Sequence, residues 1–146
     1  MTHKTSWYFI LIFSFICTVA AHAQNRSTFI VQGDSVKKEI IGHTAYLENS
    51  KITVVNTSGK PIYLEWETIS NTFPLAWDCS MCQHGKCQIG IPKGSVFKKL
   101  DPGQEGFIAI HVLPEQHSGA GCVKFKLYDK EHPEFYKVLT FSVKVL

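Results

Sequence analysis

The sequence predicts an all-β fold, an antiparallel β-sandwich built as a single domain. Three observations carry that prediction. Apolar and polar residues alternate with period two in segment after segment. Turn-forming clusters interrupt the alternation about every 10–15 residues. No window beyond residue 23 shows a helical apolar stripe of about 11 residues or more. Strands at that spacing, with no helices between them, point to two packed sheets rather than to βαβ units.

In chain order, "TFIVQGD" and "VKKEIIG" are the weaker strand candidates. "KITVVN" (Lys51–Asn56) alternates and is rich in β-branched residues. "PIYLEWE" (Pro61–Glu67) sets Ile62, Leu64 and Trp66 on one face and Tyr63, Glu65 and Glu67 on the other. The intervening "TSGK" has the Ser-Gly signature of a tight connection. "GFIAIHV" (Gly106–Val112) sets Ile108, Ile110 and Val112 against Phe107, Ala109 and His111. "CVKFKLYD" (Cys122–Asp129) sets Val123, Phe125 and Leu127 against Lys124 and Lys126. "VLTFSVKVL" (Val138–Leu146) sets Leu139, Phe141, Val143 and Val145 against Thr140, Ser142 and Lys144. The segments Asp101–Gly106, Glu115–Gly121 and Asp129–Phe135 carry turn chemistry. Trp66 sits where an immunoglobulin-like sandwich buries a tryptophan, and equally where any sandwich would place a large core residue.

The N-terminus reads as a signal peptide over residues 1–23. His3 and Lys4 precede the uncharged apolar run "WYFILIFSFICTVA", and "AHA" places Ala21 and Ala23 at the positions a signal peptidase prefers. The run falls short of the ~20 residues of a membrane span. Cys17 lies within it, after the bulky Ile16, which argues against a lipid-acylation site. Cleavage leaves a domain over residues 24–146 with no stable membrane span. It also removes Lys4, so the formal charge falls from +3 to +2. That balance is too even to suggest a nucleic-acid partner, and none is expected. The expected location is outside the cytoplasm: periplasmic, cell-envelope or extracellular.

Four cysteines remain after cleavage: Cys79, Cys82, Cys87 and Cys122. Three of them lie in "WDCSMCQHGKCQIG" (Trp77–Gly90). A c-type haem attachment requires His directly after Cys-x-x-Cys, and here Gln83 intervenes before His84. Thioredoxin-like chemistry requires a helix start at the motif, and no helix is expected. A metal site from Cys79, Cys82, His84 and Cys87 would crowd every ligand into one loop of an oxidising compartment. Disulfides are the reading that remains. Gly85 lets "CQHGKC" turn back on itself and join Cys82 to Cys87. Cys79 with Cys122 then closes a loop of ~40 residues, worth ~4 kcal/mol in the chain-entropy model. Cys79–Cys82 with Cys87–Cys122 stays open on the residues alone.

The segments "NTSGKPIYLEWE", "PLAWDCSMCQHGKC", "LDPGQEGFIAIHV" and "GAGCVKFKLYD" together resemble small secreted bacterial immunoglobulin-like domains. Those domains carry a tryptophan loop with a close cysteine pair and an L-x-P-G-x-x-G turn. The resemblance covers roughly Lys51–Leu146 and implies an immunoglobulin-like β-sandwich. It implies that Cys82 and Cys87 are the close pair, and it supports pairing the additional Cys79 and Cys122 with each other. It implies no activity. A more distant similarity is to the exported immunoglobulin-like domain of bacterial transmembrane thiol–disulfide reductases. It implies that Cys82–Cys87 is a working redox pair.

No catalytic constellation is legible. His43, His84, His111, His117 and His132 are scattered, and no Gly-x-Ser-x-Gly elbow exists. No cofactor or metal is expected. Asn25 and Asn56 head "NRS" and "NTS" triplets that fit N-glycosylation acceptors. The function expected is that of a non-enzymatic binding or structural module with a protein or glycan partner. Its candidate binding loop comprises Phe73, Leu75, Trp77, Met81 and His84, and plugging the end of the sandwich is the competing role for its aromatic residues. The alternative is envelope thiol–disulfide exchange or copper handling through Cys82 and Cys87, with His84 as a possible third group.

Overall fold

A computed structural model describes residues 27–146. The signal peptide, Cys17 and Asn25 lie outside these residues. Ten strands form: β1 Phe29–Gln32, β2 Val36–Ile41, β3 Leu47–Asn56, β4 Leu64–Asn71, β5 Asp78–Gln83, β6 Lys86–Ile89, β7 Gly94–Val96, β8 Glu105–Leu113, β9 Gly119–Asp129 and β10 His132–Val145. They build two five-stranded sheets, ordered β1-β3-β8-β5-β6 and β2-β10-β9-β4-β7. Every pairing between these strands is antiparallel except β2 with β10, which run parallel. The sequence suggested no such parallel pair. No helix of the described residues is long and apolar enough to cross a membrane.

The alternating positions meet between the sheets. Ile108, Ile110 and Val112 of β8 are fully buried, as are Val123, Phe125 and Leu127 of β9 and Leu139 and Phe141 of β10. Trp66 stands edge-on to Phe125 at a centroid distance of 5.2 Å, and Phe125 edge-on to Phe141 at 5.9 Å. Edge-to-face packing sets the positive rim of one ring against the negative face of the next.

Three sequence expectations are corrected. First, the tight connection that "TSGK" suggests does not pair β3 with β4, which lie in opposite sheets. Each has one apolar face, Ile52 and Val54 on β3 and Leu64 and Trp66 on β4, and a two-layer fold buries both against each other. Buried Asn56 pins the crossing between them. Its Nδ2 donates to the Lys60 and Leu100 carbonyls, both at 2.9 Å, and its Oδ1 accepts from Ser58 N at 2.9 Å and Ser58 Oγ at 2.7 Å. That amide has no room for a glycan, so the "NTS" triplet is a structural turn and not an acceptor. Second, Trp77–Gly90 is not a loop: β5 and β6 occupy most of it. Third, the last strand starts at His132, so Asp129–Phe135 shrinks to a hairpin turning at Lys130–Glu131.

Polar side chains also tie the sheets together. Gln83 of β5 is buried, accepts from Trp66 Nε1 at 2.6 Å and donates through Nε2 to the Val96 carbonyl at 2.6 Å. At the far edge, buried Ser50 of β3 donates to Glu39 of β2 at 2.7 Å. An inward-aimed charge on an edge strand also discourages another chain from pairing there.

Candidate functional site

β5 and β6 form a hairpin turning at His84–Gly85. Gly85 has φ 92°, a conformation that a side chain would strain. The turn sets the register, which places Cys82 directly opposite Cys87 with Cα atoms 4.0 Å apart and the sulfurs bonded. Cys87 is exposed and Cys82 half-buried, so the bond lies on the outer face of an edge hairpin.

Cys79 and Cys122 are free thiols and do not pair. The cause is strand parity. On β5, Cys79 shares a face with the buried Met81 and Gln83 and packs against the core. On β9, Cys122 shares a face with Lys124 and Lys126, opposite the buried Val123, Phe125 and Leu127. One thiol therefore points between the sheets and the other away from them. Packed sheets stand ~10 Å apart. A disulfide needs Cα atoms within ~7 Å and converging side chains. Burial and the neighbouring Asp78 carboxylate push the Cys79 thiol up to about 11, so it stays protonated and a poor nucleophile at neutral pH.

The five candidate loop residues separate. Met81 is fully buried in the core. Trp77 is only 6% exposed, its Nε1 donates to the His117 carbonyl at 2.9 Å, and its ring packs on Phe73 at 5.8 Å. Phe73 leans on the start of β9, where a Cβ on Gly121 would lie 2.7 Å from its ring and 2.8 Å from the Thr72 carbonyl. Phe73 and Trp77 thus plug the end of the sandwich, in the space that the glycines of "GAG" leave free. His84 packs between Phe97 at 6.3 Å and Phe107 at 6.5 Å. Burial, and then the Lys98 ammonium, hold its pKa below the ordinary histidine value. Among the described residues, no three His, Cys, Asp or Glu side chains are grouped to hold a metal ion.

Leu75 is the exception, wholly exposed beside the plug. Ile89 of β6 is 93% exposed. Two recesses lie here, and Asp78 and Cys79 line both. One, of about 210 Å³, includes Phe73, Leu75, Gly90 and Ile91. The other, of about 430 Å³, includes Tyr46, Ser80, Ile89, His111 and Leu113. Ser80 forms its floor, paired with Ile89 on one side and His111 on the other. The His111 ring is held by the Glu48 carbonyl. Sequence reasoning missed Ile89 and Tyr46, because exposed apolar residues in an unassigned segment carry no periodic signal. It also missed Gln83, although a polar residue two positions after Met81 on the inward face of β5 marks a buried hydrogen-bonding group.

No protein-family model matches the chain, and no curated protein matches it. Solved structures do. The N-terminal domain of PorA superposes with a TM-score of 0.55 at 14% identity, covering 82% of this chain and 97% of that one. The PapD-like domain 7 of human CEP192 gives 0.50 at 9% identity, covering 82% and 86%. A family 123 glycoside hydrolase from Clostridium perfringens gives 0.50 at 14% identity, but this chain spans only 23% of its length. The fold is an immunoglobulin-like, PapD-like β-sandwich. At these identities the likeness extends to the fold and no further.

Proposed function

We propose that this chain is an exported, non-enzymatic immunoglobulin-like binding module, and that it takes a protein partner on the end of the sandwich between Leu75 and Ile89. The observation that carries the reading is the near-complete exposure of both aliphatic residues beside two recesses that share Asp78 and Cys79. Exposed apolar groups clustered around a concave surface favour association. Trp77 and Phe73 supply the rigid support beneath, rather than the contact itself. Export rests on the N-terminal signal pattern and on the disulfide. Replacing Leu75 and Ile89 by Asp changes exposed positions only and is expected to leave the unfolding midpoint unchanged. Retention of the partner on an immobilised chain should fall at least about tenfold, as expected when central apolar anchors are lost. Equal retention by the folded double variant removes this surface from the reading.

The second reading, thiol–disulfide exchange or copper handling at Cys82–Cys87, draws on the exposure of Cys87. Against it, Cys79 lies on the opposite face of β5 and Cys122 on the other sheet, so neither can resolve an exchange at that bond. For the chain from Gln24, denatured without reductant, thiol titration should return two thiols, those of Cys79 and Cys122. Redox titration should then place the remaining bond below about −300 mV, in the range of structural disulfides. Four thiols without reductant would remove the disulfide, and a potential near −200 mV would favour the exchange reading.

A further inference from the structure

We propose that the outer face formed by β2, β9 and β10 is a docking surface for an anionic lipid bilayer. This surface lies on the other sheet from the Leu75–Ile89 end and does not depend on the binding-module reading.

The outward positions of these strands carry lysines, and the carboxylates lie at the border: Asp34, which lines a recess with Val36 and Lys38, and Glu65 and Glu67 of β4 beside β9. Lys38 of β2, Lys144 of β10, and Lys124 and Lys126 of β9 all point outward, by parity with the buried residues of β9 and β10 and by register with β2. Over β2, β9 and the Val138–Lys144 stretch of β10, no outward position holds Asp or Glu. The register sets Lys38 opposite Ser142, Lys144 opposite Ile40 and Lys124 opposite Thr140. Neighbouring strands are about 5 Å apart and same-face residues about 7 Å, so three of the lysines fall within about 15 Å of one another. Lys38, Lys124 and Lys144 are exposed, and none has a carboxylate partner among the described residues. Lys126 differs: it pairs with Glu67 of β4 at 3.0 Å and lies over Tyr128 and Tyr136. That pair neutralises Glu67, one of the carboxylates at the border of the face.

The aliphatic residues decide the occupant. Val36 and Ile40 alternate with Lys38 on the outward side of β2, 43% and 68% exposed, and Val138 lies beside Lys126. A soluble polyanion would engage the lysines and gain nothing from these side chains. A bilayer interface uses both, because lysines meet anionic headgroups while short aliphatic chains settle among them. The pattern is that of an interfacial surface written on a sheet instead of a helix.

The test uses the chain from Gln24, which contains every strand and the whole core, with co-sedimentation on vesicles as the readout. Vesicles of about one-third phosphatidylglycerol in phosphatidylcholine should retain the protein at about 50 mM salt and release it at about 500 mM, as screening predicts. Pure phosphatidylcholine should not retain it. The triple variant K38E/K124E/K144E should lose at least about tenfold in partitioning. The variant V36S/I40S should lose several-fold while keeping every lysine. Unchanged unfolding midpoints for both variants attribute the losses to the surface. Absence of binding to the anionic vesicles overturns the proposal, and so does equal binding to neutral ones. If V36S/I40S binds like wild type, and a sulfated polysaccharide binds the chain as tightly as the vesicles do, the face is a polyanion site and the bilayer proposal fails.

Discussion

Replacing Trp66 by Ala is expected to destabilise the domain by about 3–5 kcal/mol, measured as a lower urea midpoint at unchanged m. The indole is almost wholly buried and stands edge-on to Phe125, so its removal opens a cavity against rings that cannot collapse into it. The deletion also strands a polar group. Gln83 Oε1, buried in the core, loses its donor at 2.6 Å, and an unpaired buried acceptor adds about 1–3 kcal/mol. Trp66→Phe keeps an aromatic ring but removes part of the indole along with the N–H, so a cycle is needed to separate the hydrogen bond from the lost volume. A double-mutant cycle between Trp66→Phe and Gln83→Leu should return a coupling of about 0.5–3 kcal/mol, with the double variant less destabilised than the two singles added together. Additive single effects would mean that the bond linking the sheets through Gln83 is not formed.

Trp77→Ala should cost a comparable amount, about 3–5 kcal/mol. The ring is buried at the end of the sandwich, packs on Phe73 and donates to the His117 carbonyl. The reason lies at the start of β9. The "GAG" that opens β9 leaves a hollow where side chains would otherwise fill the layer, and the Phe73–Trp77 pair occupies it. Once Trp77 is gone, that end stands open to water. A folded Trp77→Ala variant with an unchanged midpoint, and with loss confined to partner binding, would make the residue an interface group and would contradict this assignment. The pairing with Leu75→Asp is informative. The two residues are neighbours in sequence, yet one substitution should cost stability and the other only binding.

Much of this architecture could be read from alternation. The inward sets on β8, β9 and β10 are those the polar and apolar pattern assigns, because burying one face of a strand fixes every second residue. The partition of strands between sheets was not legible. β3 and β4 alternate identically whether they pair side by side or face each other across the core, and "TSGK" fits either connection. What marks the second is the Asn56 side chain, whose Nδ2 bond to the Leu100 carbonyl spans 44 residues and forms only once the crossing is made. The turn of the β5–β6 hairpin at Gly85 was legible, but the extent of β5 was hidden because its inward residues are Cys79, Met81 and Gln83, of which only Met81 is strongly apolar. The mispairing of Cys79 with Cys122 had the opposite origin, since the signal was present. Cys122 shares parity with Lys124 and Lys126 in the same strand, so the lysines that mark the wet face also mark the cysteine as outward. Spacing along the chain suggested a long-range staple where side-chain direction forbids one.

The parallel β2–β10 pair sets the order in which the molecule can form. β10 is the last strand of the chain, yet it lies inside its sheet, with β2 on one side and β9 on the other. Until residues near the C-terminus are available, β2 has no neighbour in its sheet and one flank of β9 stays open. Partial chains emerging from a ribosome therefore expose unpaired β edges that invite pairing with other chains. The joining of an early strand to the final one is a contact of long sequence separation, which slows folding. The sheet that β10 completes therefore stays open until that strand is made, whereas β1, β3, β8, β5 and β6 can already pair with one another.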